Sequence, residues 1–283
     1  MKEAVNQHQV NGDITFEEAF KVFMRVKRNA KKSDNTIRYY EDNYSIFTNF
    51  FNENNFCSTI TEDTIQEYIE YLRNKNPNLK DTSINTYLRA VRSMLYYFME
   101  RKYLNYFKIR LINEEEPIKI VYTDDEINRI LKKPNFKVCN FAELRNWALS
   151  NYMYATGNRL RTITEIKIKD LDFENHVVYL RHVKNKRQYI MPLSTSLETI
   201  LLEYLSYKTN TNLEDYLFPS SNGKKLSKDG FTTAIYRYNK NRGVLKTSSH
   251  LYRHLFSKIY ITKSKDVPRL QRIIGSFYPS YVT

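Results

Sequence analysis

The chain has 283 residues, a formal net charge of +14, a sequence pI of about 9.5, 24 tyrosines and 16 phenylalanines. This length allows one large domain or two modest ones. The polar amino terminus and the absence of a long apolar run argue against a secreted or membrane-spanning protein. Cys57 and Cys139 lie far apart without metal-ligand spacing, which is typical of ordinary thiols in a reducing cytosol. We therefore expect a soluble cytoplasmic protein without a membrane partner. Its charge favours a polyanion, most commonly nucleic acid, over a merely soluble basic protein.

After a polar tail at residues 1–12, the segment 13–112 has the pattern of a small helical domain. Capping residues followed by apolar residues at helical spacing predict four helices, with starts near Thr15, Ser33, Thr61 and Asp81. Short connections between four helices predict a bundle. The phenylalanines and tyrosines at helical spacing are expected to fill its core rather than to stack on bases.

Polar residues on two of these helices are candidates for contact with phosphate. One group surrounds Arg38, and the other runs from Asn85 through Arg89 to Arg92. Arg38, Arg89 and Arg92 are therefore candidate DNA-binding residues, and simple solvation of the same side chains is the alternative.

Residues 113–121 are acidic, contain a proline and separate two segments of different charge, so they are expected to be a linker. The segment 1–112 holds 17 basic and 14 acidic side chains, whereas 113–283 holds 28 and 17. Most of the excess positive charge therefore belongs to the second domain, expected at residues 122–283.

The second domain is predicted to be mainly α-helical with one small β-hairpin. A capping box at Thr123 opens its first helix. Further helices are expected at residues 143–155, 195–207, 227–241, 249–262 and 266–274. Two β-prone runs, 176–181 and 188–193, surround a basic tip and predict the hairpin.

Three cationic side chains in this domain suit an anion that gains charge during a reaction. His250 and Arg253 fall on one face of a helix capped by Ser248 or Ser249. Arg159 follows Gly157, a predicted left-handed helix cap. A solvated basic surface, or pairing of Arg159 with a nearby aspartate such as Asp170 or Asp172, is the alternative.

These motifs, taken in order, resemble the tyrosine recombinases, the phage-integrase-like enzymes of mobile elements. The resemblance rests on Thr156-Gly157-Asn158-Arg159-Leu160, on the strand pair around Lys184 and on His250-x-x-Arg253-His254. It extends from roughly Thr15 to Gly275. It implies an amino-terminal, SAM-like core-binding domain and a carboxyl-terminal catalytic domain. It also implies double-stranded DNA as partner, action as a homo-oligomer (a tetramer in the family), and catalysis without metal, ATP or another cofactor.

The resemblance assigns roles to individual residues. Arg159 and Arg253 would bind the non-bridging oxygens of the scissile phosphate, and His250 would add a donor or help to deprotonate the nucleophile. Lys184 would protonate the departing 5′ oxygen, and it is preferred over its neighbours by its distance from Pro192. His254 is expected to pack beneath the site.

Further cations in the second domain are expected to contact DNA. Lys186 and Arg187 lie on the hairpin tip beside Lys184. Arg242 and Lys246 belong to eight basic residues between positions 224 and 253 that only one acidic residue opposes. Solvation of some of these side chains is the alternative.

The carboxyl end departs from the family pattern. Gly275 is followed by Ser276 where the family has histidine, and the expected tyrosine, roughly nine residues later, would fall just past Thr283. Tyr281 is the preferred nucleophile because it is nearer that place than Tyr278. A truncated relative that binds element DNA without cutting it is the alternative function, and weakened oligomerisation is expected with it. An ordinary DNA-binding regulator is the third hypothesis.

Overall fold

The structure is a computed structural model that describes residues 14–114, 121–181, 189–208 and 211–274. The chain divides into two units, Met1–Pro117 and Ile118–Thr283. The division falls within the segment 113–121, for which the sequence predicts a linker.

Four helices occur in the described part of the amino-terminal unit, and each begins at or next to its predicted start. They are α1 (Phe16–Asn29), α2 (Asp34–Thr48), α3 (Glu62–Lys75) and α4 (Asp81–Glu100). Thr15 and Glu18 form a reciprocal capping box, in which the Thr15 hydroxyl accepts from the Glu18 amide. A 3₁₀ turn at Cys57–Thr59 precedes α3. The predicted helical bundle is confirmed.

Aromatic rings fill the core of this bundle. The fully buried Phe16 ring lies within 5.1–5.8 Å, centroid to centroid, of four other rings, those of Tyr44, Phe47, Phe51 and Phe98. Phe20 stacks on Tyr44 at 3.9 Å. The rings pack against one another inside the bundle. The phenylalanines and tyrosines at helical spacing therefore form the core, as predicted.

Two buried hydroxyls of this unit, those of Tyr68 and Tyr97, have no hydrogen-bond partner within the described residues. Tyr68 is 0% exposed, and its hydroxyl oxygen is buried without a partner among the described residues. Replacing Tyr68 with phenylalanine is therefore expected to raise the free energy of unfolding by about 1 kcal/mol, because a buried polar group without a partner keeps its desolvation cost.

Chemical denaturation of the Tyr68→Phe variant checks this expectation. Tyr204→Phe is the matched control, because Tyr204 is equally buried but donates to the Leu217 carbonyl at 2.9 Å. That control is expected to lose about 1 kcal/mol. Equal losses in both variants would contradict the interpretation of Tyr68.

The carboxyl-terminal unit places its helices around one small sheet. The helices are α5 (Asp124–Leu131), α6 (Phe141–Thr156), α7 (Leu160–Ile163), α8 (Thr195–Ser206), α9 (Lys228–Asn241), α10 (Ser249–Ser264) and α11 (Val267–Ile274). The strands are β1 (Leu171–Asp172), β2 (Val177–Leu180) and β3 (Tyr189–Pro192). The mainly helical fold class with a small sheet is confirmed.

Helix α6 is the central element of this unit. Every side chain from Leu144 to Met153 is buried, as expected for a helix surrounded by protein on all sides. It packs against α5, α8, α9 and α10. The buried guanidinium of Arg145 donates to the Pro219 carbonyl at 2.8 Å and to the Asn146 side-chain oxygen. Because α6 is fixed on all sides, the residues that follow its end are fixed as well.

The sheet is antiparallel with strand order β1-β2-β3. Strands β2 and β3 form the two arms of the predicted hairpin, and Leu180 pairs with Tyr189 next to its tip. Strand β1 was not predicted. His176, expected in a strand, instead has φ +56° in the turn before β2, and its Nδ1 lies 2.9 Å from the Glu198 carboxylate.

Candidate functional site

The segment that follows α6 approaches α10 closely. Gly157 ends α6 with φ +59°, a conformation that glycine adopts without strain. A Cβ atom at this position would lie 2.6 Å from the Phe256 ring on α10, closer than packed carbon atoms approach. Glycine is therefore required here both by the backbone and by the close contact with α10.

Asn158 fixes the same segment to the sheet. Its side-chain nitrogen donates to the Tyr152 hydroxyl at 3.1 Å and lies 3.6 Å from the Met191 sulfur on β3. Arg159 follows as the residue that caps α7. Burial lowers the pKa of the Arg159 guanidinium, which nevertheless stays charged at physiological pH. A half-buried cation thus directly follows the segment that packs against α10.

Arg253 links three elements of the site. From α10, its Nη1 donates to the Gly157 carbonyl at 3.0 Å and its Nη2 donates to the Ile274 carbonyl at 2.6 Å. The planar guanidinium thereby joins the segment that leads to Arg159 with the last residue of α11. The structure thus brings Arg159 and Arg253 into one region, as the sequence predicts.

His250 lies in the first turn of α10. The Ser248 hydroxyl caps this helix and accepts from the His250 amide at 3.3 Å. His250 is exposed and precedes the half-buried Arg253 by three residues, on the same helical face. His254 is half-buried in the next position. The predicted helix and its cap are confirmed.

A buried network orients α10 and was missed by the sequence analysis. The Tyr252 hydroxyl lies 3.4 Å from the side-chain oxygens of Ser150 and Asn239, and Asn239 donates to the Tyr122 hydroxyl at 3.1 Å. Burial raises the pKa of Tyr252 to about 12, so this phenol stays protonated as a donor. The network fixes the rotation of α10 and hence the face that carries His250. The only sequence signal was a tyrosine between two cationic residues.

Two cations that were expected to face DNA have partners inside the domain instead. The Lys246 ammonium donates to the Val121 carbonyl at 3.1 Å and pairs with Glu126 at 2.6 Å. The Arg242 guanidinium lies 3.8 Å from the Tyr238 ring centroid. It also lies 3.2 Å from the Glu143 carboxylate, with 14% of its side chain exposed. These contacts hold both cations against the protein, and DNA contact by Arg242 and Lys246 stays a prediction.

Asp170 and Asp172, the two aspartates considered as partners for Arg159, bind residues close to the sheet. Asp170 is buried and pairs with Arg181 at 2.6 Å, while Asp172 accepts from the Asn175 amide and side chain. Hydrogen bonds from Asn175 lower the pKa of Asp172. Both carboxylates thus serve the turns around the sheet.

The remaining site candidates of this unit lie outside the described residues. They are the hairpin cations Lys184, Lys186 and Arg187, together with Ser276, Tyr278 and Tyr281 at the carboxyl end. The structure describes the two strands that carry the hairpin and the helix that precedes the carboxyl end. Tyr189, the first residue of β3, donates from its hydroxyl to the Ile273 carbonyl of α11 at 2.9 Å.

In the amino-terminal unit, α2 and α4 carry the candidate arginines. Their pairing is fixed by the Tyr39 hydroxyl, which donates to the Thr86 carbonyl at 2.9 Å. Arg38 is exposed and Arg92 is half-buried. Arg89 has about half of its side chain exposed, and its guanidinium lies 3.6 Å from the Glu114 carboxylate.

Asn85, which began the second group of polar residues, does not lie at the surface. It is 1% exposed and exchanges two hydrogen bonds of 2.9 Å with the backbone of Ile112. The Asn85 side chain therefore holds the end of this unit, whereas the arginines of α2 and α4 remain accessible to solvent.

Among the residues that the structure describes, no group of three or more His, Cys, Asp and Glu side chains is arranged to hold a metal ion. No helix in the described ranges is long and apolar enough to cross a membrane.

The site geometry supports chemistry on an anion with several oxygens. Two guanidinium groups supply permanent positive charge, which suits such oxygens, and an imidazole lies on the same helix face as one of them. Electrostatic stabilisation of this kind is often the largest contribution to catalysis of charge-developing reactions.

Comparison with known proteins identifies, over most of the chain, the same family that the sequence motifs resemble. Residues 121–276 match the phage integrase family, and residues 20–102 match the phage integrase N-terminal SAM-like domain. The chain is 23% identical over 271 residues to the tyrosine recombinase XerD of Oceanobacillus iheyensis, covering 91% of this chain and 88% of the relative.

Solved structures share the fold. The Tn1549 transposon integrase in complex with circular intermediate DNA has a TM-score of 0.73 at 18% identity, covering 94% of this chain and 93% of that one. A lambda integrase tetramer bound to a Holliday junction has a TM-score of 0.71 at 15% identity, covering 96% and 77%. Because family models match both of its units, the chain belongs to the phage integrase family, and the relatives that it matches include proteins named tyrosine recombinases.

Proposed function

We propose that this protein is the site-specific recombinase or integrase of a mobile element. It cleaves one strand of double-stranded DNA and rejoins it to a partner strand. The observation that carries the proposal is the double hydrogen bond of Arg253, which joins the segment bearing Arg159 to the end of α11. Family membership supports site-specific recombination as the reaction class.

The proposed reaction is a transesterification at phosphorus. The phenolate of Tyr281 attacks, the bond from phosphorus to the 5′ oxygen breaks, and a 3′-phosphotyrosyl bond forms as a free 5′ hydroxyl leaves. A 5′ hydroxyl of the partner strand then attacks the phosphotyrosine, which releases the tyrosine. The covalent intermediate conserves the energy of the broken bond, so neither ATP nor another cofactor is required.

Four cationic residues are assigned to this reaction. Arg159 and Arg253 neutralise the non-bridging oxygens of the pentacoordinate phosphorus, where charge accumulates. His250 donates a further hydrogen bond to the same oxygens or assists deprotonation of the phenol. Lys184 on the hairpin protonates the departing 5′ oxygen. The proposed site contains no metal, because side chains supply the positive charge.

We further propose that DNA is held by both units. Arg38, Arg89 and Arg92 of the amino-terminal helices contact phosphates, as do Lys186 and Arg187 of the hairpin. The protein acts as a homo-oligomer on paired sites. Support comes from the lambda integrase neighbour, which is a tetramer bound to a Holliday junction.

A covalent-trapping experiment tests the proposed function. Selection from a random duplex library supplies a bound sequence, and a nick placed next to the scissile phosphate lets the short product diffuse away. Denaturing electrophoresis is expected to show the wild-type chain shifted by the attached strand. Tyr281→Phe is expected to abolish the shifted band because it lacks the attacking oxygen, and Tyr278→Phe is the control expected to retain it.

The outcomes separate the proposal from its rivals. A band that survives in Tyr281→Phe and disappears in Tyr278→Phe would move the nucleophile to Tyr278. Specific binding of the selected duplex without any wild-type band would instead contradict cleavage and favour a DNA-binding relative.

A further inference from the structure

The end of α11 receives hydrogen bonds from two side chains that belong to different elements. The Ile273 carbonyl accepts from the Tyr189 hydroxyl at 2.9 Å, and the Ile274 carbonyl accepts from Arg253 at 2.6 Å. The last carbonyls of a helix lack partners within the helix, so they are natural acceptors for such groups. The backbone of α11 is thereby fixed at two consecutive residues.

The apolar face of α11 makes this attachment specific. Leu270 is 0% exposed and Ile274 is 3% exposed, so the helix cannot rotate without exposing them. Tyr189 is half-buried at the contact, and burial raises its pKa, so the phenol stays protonated as the donor. Packing and two hydrogen bonds together fix where the chain leaves α11.

Tyr189 also lies at the base of the hairpin. It is the first residue of β3 and pairs with Leu180, the last residue of β2. The hairpin that contains Lys184 connects these two residues in sequence. One phenol hydroxyl therefore joins the strand leading from the proposed general acid to the helix leading to the proposed nucleophile.

We infer that Tyr189 is a positioning residue for DNA cleavage, because its hydrogen bond to Ile273 fixes the end of α11 against the sheet. This inference rests on the proposed function. In-line attack at phosphorus depends steeply on the placement of the attacking oxygen. In the sequence Tyr281 follows Ile274, the last residue of α11, by seven positions, so a fixed helix end limits where the nucleophile can be placed. Tyr189 itself touches no reacting atom.

The test compares two conservative variants of the same sheet. Tyr189→Phe removes the hydroxyl that reaches α11. Tyr179→Phe removes a hydroxyl that lies 3.4 Å from the Asp172 carboxylate within the sheet. Measurements are the single-turnover cleavage rate at saturating protein on the nicked duplex, the dissociation constant for that duplex, the melting temperature, and hydrogen exchange of the amides in α11.

Tyr189→Phe is expected to slow cleavage about tenfold, the effect of one hydrogen bond lost from the reactive arrangement. Its dissociation constant is expected to stay within about twofold, because the contact lies inside the protein and not on a DNA-binding group. Amides of α11 should exchange faster in this variant only. Tyr179→Phe should match the wild type in cleavage and in exchange of α11.

Three results would overturn the inference. Cleavage by Tyr189→Phe at the wild-type rate would do so while leaving the proposed function intact. Equal slowing by Tyr179→Phe would show a general effect of loosening the sheet. A wild-type chain that forms no covalent complex would refute the proposed function itself and the inference with it.

Discussion

Replacing Arg253 with lysine is expected to lower the rate of DNA cleavage by about 10²–10³-fold, although the positive charge is retained. Arg253 places its two terminal nitrogens on two carbonyls, those of Gly157 and Ile274. A lysine ammonium is a compact charge on a flexible chain and cannot reproduce this planar arrangement. The variant would lose the connection between the segment leading to Arg159 and the end of α11.

The same substitution is expected to lower the free energy of unfolding by about 2 kcal/mol, because lysine can keep only one of the two hydrogen bonds and a bond from a charged donor is worth about 1.5–3 kcal/mol. Single-turnover cleavage and denaturant unfolding measure the two effects separately. Arg272→Lys is the control, because Arg272 is exposed on α11 and the charge is kept. Cleavage by Arg253→Lys within threefold of the wild type would show that charge alone suffices at this position.

Local patterns predicted the elements that carry the site. Ser248 was one of two serines expected to cap the helix of His250, and it does so. Gly157 was expected to end α6 in the left-handed conformation, as it does at φ +59°. These predictions succeed because a cap or a helix end depends on interactions within four residues of the chain.

Roles that depend on distant residues could not be predicted in the same way. Lys246 was interpreted from a local excess of basic residues, yet its partner Glu126 lies 120 positions earlier. The Glu126 carboxylate also accepts from the Thr123 amide at 2.8 Å, as the capping box predicts. Counting charges over a short stretch of sequence cannot show that Glu126 both completes the capping box of α5 and pairs with Lys246.

The shortest strand illustrates a different limit. Strand β1 has two residues, and it exists because Leu171 and Asp172 pair with Val178 and Val177 of β2. A period of two residues cannot be recognised in so short a segment. The hairpin was predicted because its longer strands have β-branched and aromatic residues, whereas β1 requires knowledge of the turn that folds it back.

The second substitution with a large expected effect is the replacement of Gly157. Gly157→Ala is expected to lower the free energy of unfolding by about 2–5 kcal/mol, which combines two separate costs. A residue other than glycine at φ +59° costs about 1–2 kcal/mol. Its Cβ atom would also lie 2.6 Å from the Phe256 ring, and overpacking of this kind costs about 1–3 kcal/mol.

Gly223→Ala separates these two costs. Gly223 has φ +77°, but an added Cβ would meet no atom within 4 Å. This control should therefore show the backbone cost alone, about 1–2 kcal/mol, and should cleave DNA normally. Gly157→Ala should in addition cleave poorly, because relief of the clash displaces the segment that carries Arg159.

A double-mutant cycle with Phe256→Ala identifies the origin of the excess. Truncating Phe256 removes the atoms that the new methyl group would strike, so Gly157→Ala should cost about 1–3 kcal/mol less in the Phe256→Ala background than in the wild type. An unchanged cost would mean that the ring does not constrain this position. The requirement for glycine would then rest on the backbone conformation alone, and Arg159 would owe its placement to Asn158 and α7 rather than to the contact with α10.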